Sequence, residues 1–410
     1  MPDITQQLDF EITVLSPLHI GSGRELLQGY DVVAHGGRTW RIHEDALLDA
    51  TLGGGEAFDH ALVGRPASEL LKPEDYQRHP EFFRYVIEGT PSAGTRGARV
   101  SEQIKDVFDR PYVPGSSLKG ALRTVLFWGI HHAEGRQPQL DRLKRSRSRA
   151  SQPLEQAVFG RDPNHDWLRA LHVRDSKPLD PDEHLALHTV RVYPTASSQS
   201  SGLDVDVEAV KPDAVFQTTV SLETYGFEDP EAARLGWRGK RRWIRDLTEV
   251  SKRHVGERLM TEARYFKEKS GPRRAMRFYD DLIKQLLELP DDTLFLQVGW
   301  GAGWESKTLG SSMLRQSDHA FEQLLNKYRM TKERNRRPGD PFPRSRHLAL
   351  VDGRRALPMG WLAVRIAGLD EVEVAEPPEP DEAVVGQRTG RLKKFFPDRG
   401  FGFIEPQGGG

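Results

Sequence analysis

The sequence predicts an α+β fold, and three observations carry that prediction. Leu8, Phe10, Ile12 and Val14 alternate with Asp9, Glu11 and Thr13, the two-residue period of a half-buried strand. Leu118, Ala121, Leu122, Val125 and Leu126 recur instead at helical spacing. Further strand-like runs at residues 168–173, 184–193, 205–210 and 214–222 are followed by a long helical region over residues 238–269.

With 410 residues the chain is too long for one small core, and two or three domains are expected. A formal net charge of −1 and a pI near 6.9 give no global pull toward nucleic acid, so local charge clusters matter more. The chain has no cysteine, which excludes disulfides and thiolate metal sites and suits a reducing cytosol. No apolar run approaches the length of a membrane span, and Met1-Pro2-Asp3-Ile4 does not open a signal peptide. A soluble cytoplasmic protein is expected, with no membrane partner.

The first strand runs into Ser16-Pro17-Leu18-His19-Ile20-Gly21-Ser22-Gly23-Arg24, where glycines let the backbone approach a ligand and Arg24 adds charge. His19 is a candidate general base or RNA contact, although a lone loop histidine is more often neither. Residues 30–34 and 39–42 read as a hairpin across Gly36-Gly37. Residues 43–52 read as a short helix ended by Gly53-Gly54-Gly55, residues 56–88 as helical, and residues 89–99 as a mobile basic loop around Arg96 and Arg99.

The most informative stretch is Val113-Pro114-Gly115-Ser116-Ser117-Leu118-Lys119-Gly120-Ala121-Leu122-Arg123, a rigid turn entering a helix. Pro114 fixes one backbone angle, Gly115 frees the next, and Ser116 or Ser117 is expected to cap the helix. Lys119 and Arg123 share a face near the helix start, where the macrodipole is already positive, so an anion is expected between them. Unpaired N–H groups, two hydroxyls and two cations would together cradle a phosphate. The plainer reading is a capped surface helix with two solvated bases. Residues 141–149 then carry five cations, and Arg alternating with Ser suits phosphate contacts. Phe159-Gly160 closes another short helix. Trp237 and Trp243 interleave with Arg238, Lys240, Arg241 and Arg242, either as a stacking surface or as buried anchors beside a basic face.

Residues 272–289 predict a further helix, with Phe278, Leu282, Leu286 and Leu289 as core positions. A strand at residues 294–298 empties into Gly299-Trp300-Gly301-Ala302-Gly303-Trp304-Glu305-Ser306-Lys307-Thr308, a glycine-rich loop able to turn N–H groups toward phosphate. It is not a nucleotide-hydrolysing P-loop: Ser306 stands where that motif needs glycine, and no downstream acidic strand supplies a magnesium ligand. Residues 332–337 and Phe342-Pro343-Arg344-Ser345-Arg346 are basic, and residues 360–366 read as the last core strand. Residues 370–388 read as an acidic, proline-rich linker. The tail over residues 390–406 alternates bases with rings, Lys393, Phe395, Phe401 and Phe403 among them, as single-stranded RNA binders do.

Taken together, these motifs resemble the RAMP superfamily of type III CRISPR effectors. The similarity is strongest to the type III-A (Csm) subunit that caps the crRNA filament at the end distal to the 5′ handle. The resemblance rests on residues 15–23, 112–123, Phe159-Gly160, Val173-Arg174-Asp175-Ser176, residues 298–308, residues 342–346 and Pro358-Met359-Gly360-Trp361, in that order. It implies ferredoxin-like, RRM-related βαββαβ cores with helical insertions, as an N-terminal half at 1–200 and a C-terminal half at 201–369. It also implies crRNA and the backbone and small Csm subunits as partners, and neither a cofactor nor a catalytic residue. Residues 389–410 resemble instead a truncated cold-shock domain.

The leading expectation is therefore a non-catalytic subunit that binds crRNA toward its 3′ end and supports crRNA maturation in antiviral defence. The positions assigned to RNA are His19, Arg24, Ser116, Ser117, Lys119, Arg123, Gly299, Gly301, Gly303, Lys307 and Thr308. The alternatives are a metal-independent RAMP endoribonuclease that processes crRNA precursor using His19 or another loop histidine as base, and a scaffold without RNA affinity of its own.

Overall fold

The computed structural model describes residues 5–52, 65–92, 98–135, 140–194, 204–228, 230–268, 272–310, 317–331, 340, 342–351, 355–369, 371–372, 390–396 and 401–406. Residues Met1–Val372 form one compact unit and Glu373–Gly410 a second. In chain order the strands of the first unit are β1 (Thr5–Val14), β2 (Gly21–Leu27), β3 (Val32–His35), β4 (Arg38–Ile42), β5 (Phe83–Glu88), β6 (Arg99–Gln103), β7 (Leu171–Val173), β8 (Leu185–Pro194), β9 (Asp204–Val210), β10 (Val215–Glu223), β11 (Thr293–Gln297), β12 (Ser345–Val351), β13 (Arg355–Pro358) and β14 (Trp361–Ala367).

Two sheets divide them. The first has the order β11-β14-β1-β10-β7 with every neighbour antiparallel. Its inner face is the alternating set the sequence announces, with Leu8, Phe10, Ile12 and Val14 of β1 buried. The Gly115–Ala133 helix connects β1 to β7 and adds Leu118, Leu122, Val125, Leu126 and Ile130 to the same core. Burying each such side chain stabilises the fold by about 1.5–3 kcal/mol relative to leaving it exposed. The Leu247–Glu268 helix follows β10 and is tied to β11, its Ser251 hydroxyl donating to the Phe295 carbonyl at 3.0 Å.

Strands β14, β1, β10 and β7 lie in the fourth-first-third-second order of a ferredoxin-like sheet. The fourth position is held by β14, and β11 adds a strand outside it. The larger sheet is built from the excursions between strands of the first. Strands β2 to β6 arise between β1 and the Gly115–Ala133 helix, β8 and β9 between β7 and β10, and β12 and β13 between β11 and β14. Strands from both sides of residue 200 therefore share each sheet.

Several expectations are met and others corrected. The hairpin forms at β3 and β4, with His35 opposite Arg38 and both Gly36 and Gly37 at positive φ, as a two-residue turn requires. Residues 83–88, read as helix, are strand β5. Phe83, Tyr85 and Ile87 are buried and Arg84 and Glu88 exposed, so strand-favouring residues with a two-residue period pair with β4. Residues 238–269 are not one helix but a turn at Arg242–Arg245 followed by Leu247–Glu268. Trp237 and Trp243 are buried anchors rather than a stacking surface, Trp237 Nε1 donating to the His165 carbonyl at 2.8 Å. Arg99, read as loop, opens β6. Arg96, residues 332–337 and most of the linker (373–388) lie outside the described residues.

Within the second unit, β15 (Gly390–Phe396) and β16 (Phe401–Pro406) form an antiparallel hairpin. Phe403 lies opposite Lys394, Phe395 opposite Gly402 and Phe401 opposite Phe396, while Lys393 sits at the register shift between Leu392 and Lys394. Side chains of this hairpin lie outside the described set.

Candidate nucleic-acid interface

Three loops distant in sequence are stitched into one platform by backbone hydrogen bonds. The Trp300 N–H donates to the His19 carbonyl at 2.8 Å, the Gly360 N–H to the Pro17 carbonyl at 2.9 Å, and the Val298 N–H to the Gly360 carbonyl at 2.9 Å. The Trp361 N–H completes the seam on the Ser16 hydroxyl at 3.0 Å. Gly299 and Gly360 both have positive φ, and a side chain at either would run into the carbonyl oxygen of His19 or Val298 respectively. That is the physical reason for glycine at these motif positions.

The platform rests on a buried charged network. Arg346 makes a bidentate pair with Glu262 of the Leu247–Glu268 helix at 2.7 and 2.9 Å, and also donates to the Pro343 carbonyl at 2.6 Å. Arg258, fully buried, donates to the Gln297 side chain, whose own amide donates to the Met359 carbonyl at 2.8 Å. Burial lowers the Arg258 guanidinium from its usual range, opposed by Glu262 and Glu305. The Phe342-Pro343-Arg344-Ser345-Arg346 turn, read from sequence as basic, thus commits Arg346 to a largely buried ion pair.

The start of the Gly115–Ala133 helix departs from expectation. Neither Ser116 nor Ser117 caps it; Pro114 occupies the cap position and the Gly115 N–H donates to Asp175 Oδ1 at 2.7 Å. The Ser176 hydroxyl accepts from the Val113 N–H at 2.9 Å, so the Arg174-Asp175-Ser176 turn supplies the anion that the helix dipole favours. The two cations are likewise engaged within the chain. Lys119 Nζ donates to the Leu171 carbonyl at 2.7 Å, and burial pulls its ammonium below the usual lysine range. Arg123 pairs with Asp166 at 2.7 Å and Glu155 at 3.3 Å while lying 3.8 Å above the Phe159 ring. The expected anion is present, but as protein carboxylates.

His19 is 3 % exposed, its Nδ1 is 2.6 Å from the Glu208 carbonyl, and burial holds its imidazole below the usual histidine range. Its carbonyl accepts from the Trp300 N–H, and its ring meets the Trp300 ring edge-on with centroids 6.0 Å apart. Arg24 is exposed on the edge strand β2, 4.0 Å from Glu102. Gly301 and Gly303 also take positive φ, and the Thr308 hydroxyl donates to the Trp304 carbonyl at 3.0 Å. Lys307 is exposed, with no ion pair among the described residues.

Of residues 113–123 only Arg123 reaches the surface formed by the glycine-rich loop. Arg123, Lys307 and Thr308 line one cleft of about 490 Å³ together with Arg147 of the Ser-Arg run and Trp304. Lys119 lies instead beside a shallower depression of about 310 Å³, which it shares with Arg123. Ser116, Ser117, Arg24 and His19 line neither. By contrast, the open face of the first sheet presents Asp9, Glu11, Gln217, Thr219 and Arg365 around a depression whose only ring, among the described residues, is the buried Phe10. Within that depression the described residues offer no exposed ring of the kind on which an RRM-type sheet stacks bases.

A profile of the RAMP superfamily matches residues 11–306. The chain belongs to the RAMP superfamily. This RAMP protein is 25% identical over 365 residues to the CRISPR system Cms protein Csm5 of Mycobacterium tuberculosis, covering 79% of this chain and 90% of that one. It is 27% identical over 233 residues to the Csm5 of Streptococcus thermophilus, 54% of each. Among solved structures it is similar to a chain of a Csm-crRNA-target RNA ternary complex of a type III-A CRISPR-Cas system, with TM-score 0.66 and 27% identity, covering 87% of this chain and 100% of that one. It shares its fold with the crystal structure of T. onnurineus Csm5, with TM-score 0.58 and 24% identity over 86% and 99% of the two chains. Among the described residues of this RAMP chain, no helix is long and apolar enough to cross a membrane.

Sequence reasoning missed Asp166, Glu155 and Asp175, which neutralise the predicted cradle from 32 to 60 residues away. The Arg-Asp-Ser turn after a strand carried a usable signal, since Asp and Ser are the residue types that cap helices.

Proposed function

We propose that this RAMP protein is a non-catalytic, crRNA-binding subunit of a type III-A CRISPR effector. It holds the guide toward its 3′ end, caps the filament of backbone subunits and supports guide maturation, in a cytoplasmic complex. Similarity along almost the whole chain to a component of a Csm-crRNA-target RNA complex supports this reading. The structural observation that carries it is the shared cleft, where Lys307 and Arg147 place exposed charge beside a backbone platform held rigid by the Trp300–His19 and Gly360–Pro17 bonds. Lys307 and Arg147 are accordingly the cations assigned to phosphate, with Arg123 fixed behind them. A ribonuclease that uses His19 needs its ring at a scissile phosphate, and the buried, carbonyl-bonded ring disfavours that route.

The test is single-stranded RNA binding by the purified chain, read by fluorescence anisotropy over a salt series. Lys307→Ala with Arg147→Ala is expected to weaken binding about tenfold and make the salt dependence shallower by about 0.7 per lost phosphate contact. Lys119→Ala, whose ammonium is tied to Leu171, is expected to change affinity less than twofold. Equal affinity and slope for the double variant and the parent chain would contradict the assignment.

A further inference from the structure

We propose that the cleft between the Gly115–Ala133 helix and the Trp304–Leu309 turn seats one nucleobase swung out of the bound RNA strand, with its phosphate held at the rim. The proposal rests on the RNA-binding reading and adds a specific ligand group to it. A volume of about 490 Å³ lies in the range of sites that enclose small organic groups. Its walls include Phe127, Leu154 and Leu324 on the apolar side, and the rings of Trp304 and Tyr328. Such a lining would take a flat, unstacked base out of water.

Arg123 adds a second planar surface. Its guanidinium is locked over the Phe159 ring by Asp166 and Glu155, so the plane is pre-set before any ligand arrives. At the rim, Lys307 and Arg147 are exposed and unpaired among the described residues, while the one carboxylate lining the cleft, Glu155, already serves Arg123 and the Ser151 hydroxyl. An apolar slot with surplus positive charge at its mouth matches a nucleotide, base inward and phosphate outward, better than an apolar protein side chain. Thr124 and Ser151 donate their hydroxyl hydrogens to the Gly120 carbonyl at 3.1 Å and to Glu155 at 2.6 Å, which leaves both oxygens as acceptors for a base N–H.

The experiment fills the cleft. Leu154→Trp, and separately Thr124→Trp on the Gly115–Ala133 helix, are purified as full chains, and their melting temperatures are compared with the parent to exclude misfolding. Each is titrated with an intact oligoribonucleotide and with the same oligomer carrying one abasic site at successive positions. Expected are a roughly tenfold loss of affinity for intact RNA in both variants and a similar loss for the parent chain at one abasic position. The filled variants should show no additional loss at that position, and the salt slope should be unchanged throughout. Filled variants that bind intact RNA as the parent does would overturn the proposal while leaving RNA binding by this subunit in place. Filled variants that keep full RNA affinity but no longer co-purify with partner subunits would overturn it in favour of a protein side chain. A parent chain without affinity for any RNA would instead overturn the functional reading itself.

Discussion

Replacing Arg346 by methionine is expected to destabilise the first unit by about 3–5 kcal/mol, because it strands the Glu262 carboxylate in the interior. Glu262 is 6 % exposed and receives two of the hydrogen bonds that Arg346 makes. Taking one partner from a buried pair costs far more than the pair contributes, since the surviving charge has no water to turn to. The comparison that addresses this cause is Arg346→Met combined with Glu262→Leu, which removes both charges and is expected to recover part of the loss, the rest remaining because buried Arg258 loses the opposing charge of Glu262. Urea denaturation of the three proteins reads the difference. A single variant as stable as the parent, or a double variant no better than the single, would show that the pair does not carry the platform.

Gly360→Ala is expected to be nearly as damaging, by about 2–4 kcal/mol. The residue has positive φ, its N–H and carbonyl both take part in the seam, and a side chain would meet the backbone carbonyl of Val298, which cannot swing aside. Gly303→Ala is the control. Gly303 also has positive φ but faces open space, so only the backbone term of about 1–2 kcal/mol applies. Thermal melts that place the two variants together would mean that close approach at Gly360 is unimportant and that the three loops are not held by this seam.

What was legible in the sequence was what is local. The alternation of β1 and the Gly36-Gly37 turn depend on neighbours within a few residues, and both appear where expected. The reading failed where a distant residue decides. Lys119 and Arg123 look like free cations on one helical face because their acceptors, Leu171, Asp166 and Glu155, are separated from them by 52, 43 and 32 residues. Strand β5 carries its own local signal, since Phe83, Tyr85, Val86 and Ile87 are strand-favouring types with the buried set at every second position, but the run is only six residues long inside a stretch read as helix. His19 reads from sequence as an RNA contact or base, whereas its ring is buried against the Glu208 carbonyl and Trp300, residues far away in the chain. Lys307 kept its exposed position, and Arg147, flagged only as part of a charge run, gained a place beside it.

The account is tested most directly by mapping where guide RNA touches the chain. Oligoribonucleotide containing 4-thiouridine would be irradiated on the purified chain and the attached peptides identified by mass spectrometry. Crosslinks concentrated at residues 300–310 and 143–155 are the expected result. Crosslinks confined to the open face of the first sheet, around Glu11 and Gln217, with none at the cleft, would contradict it.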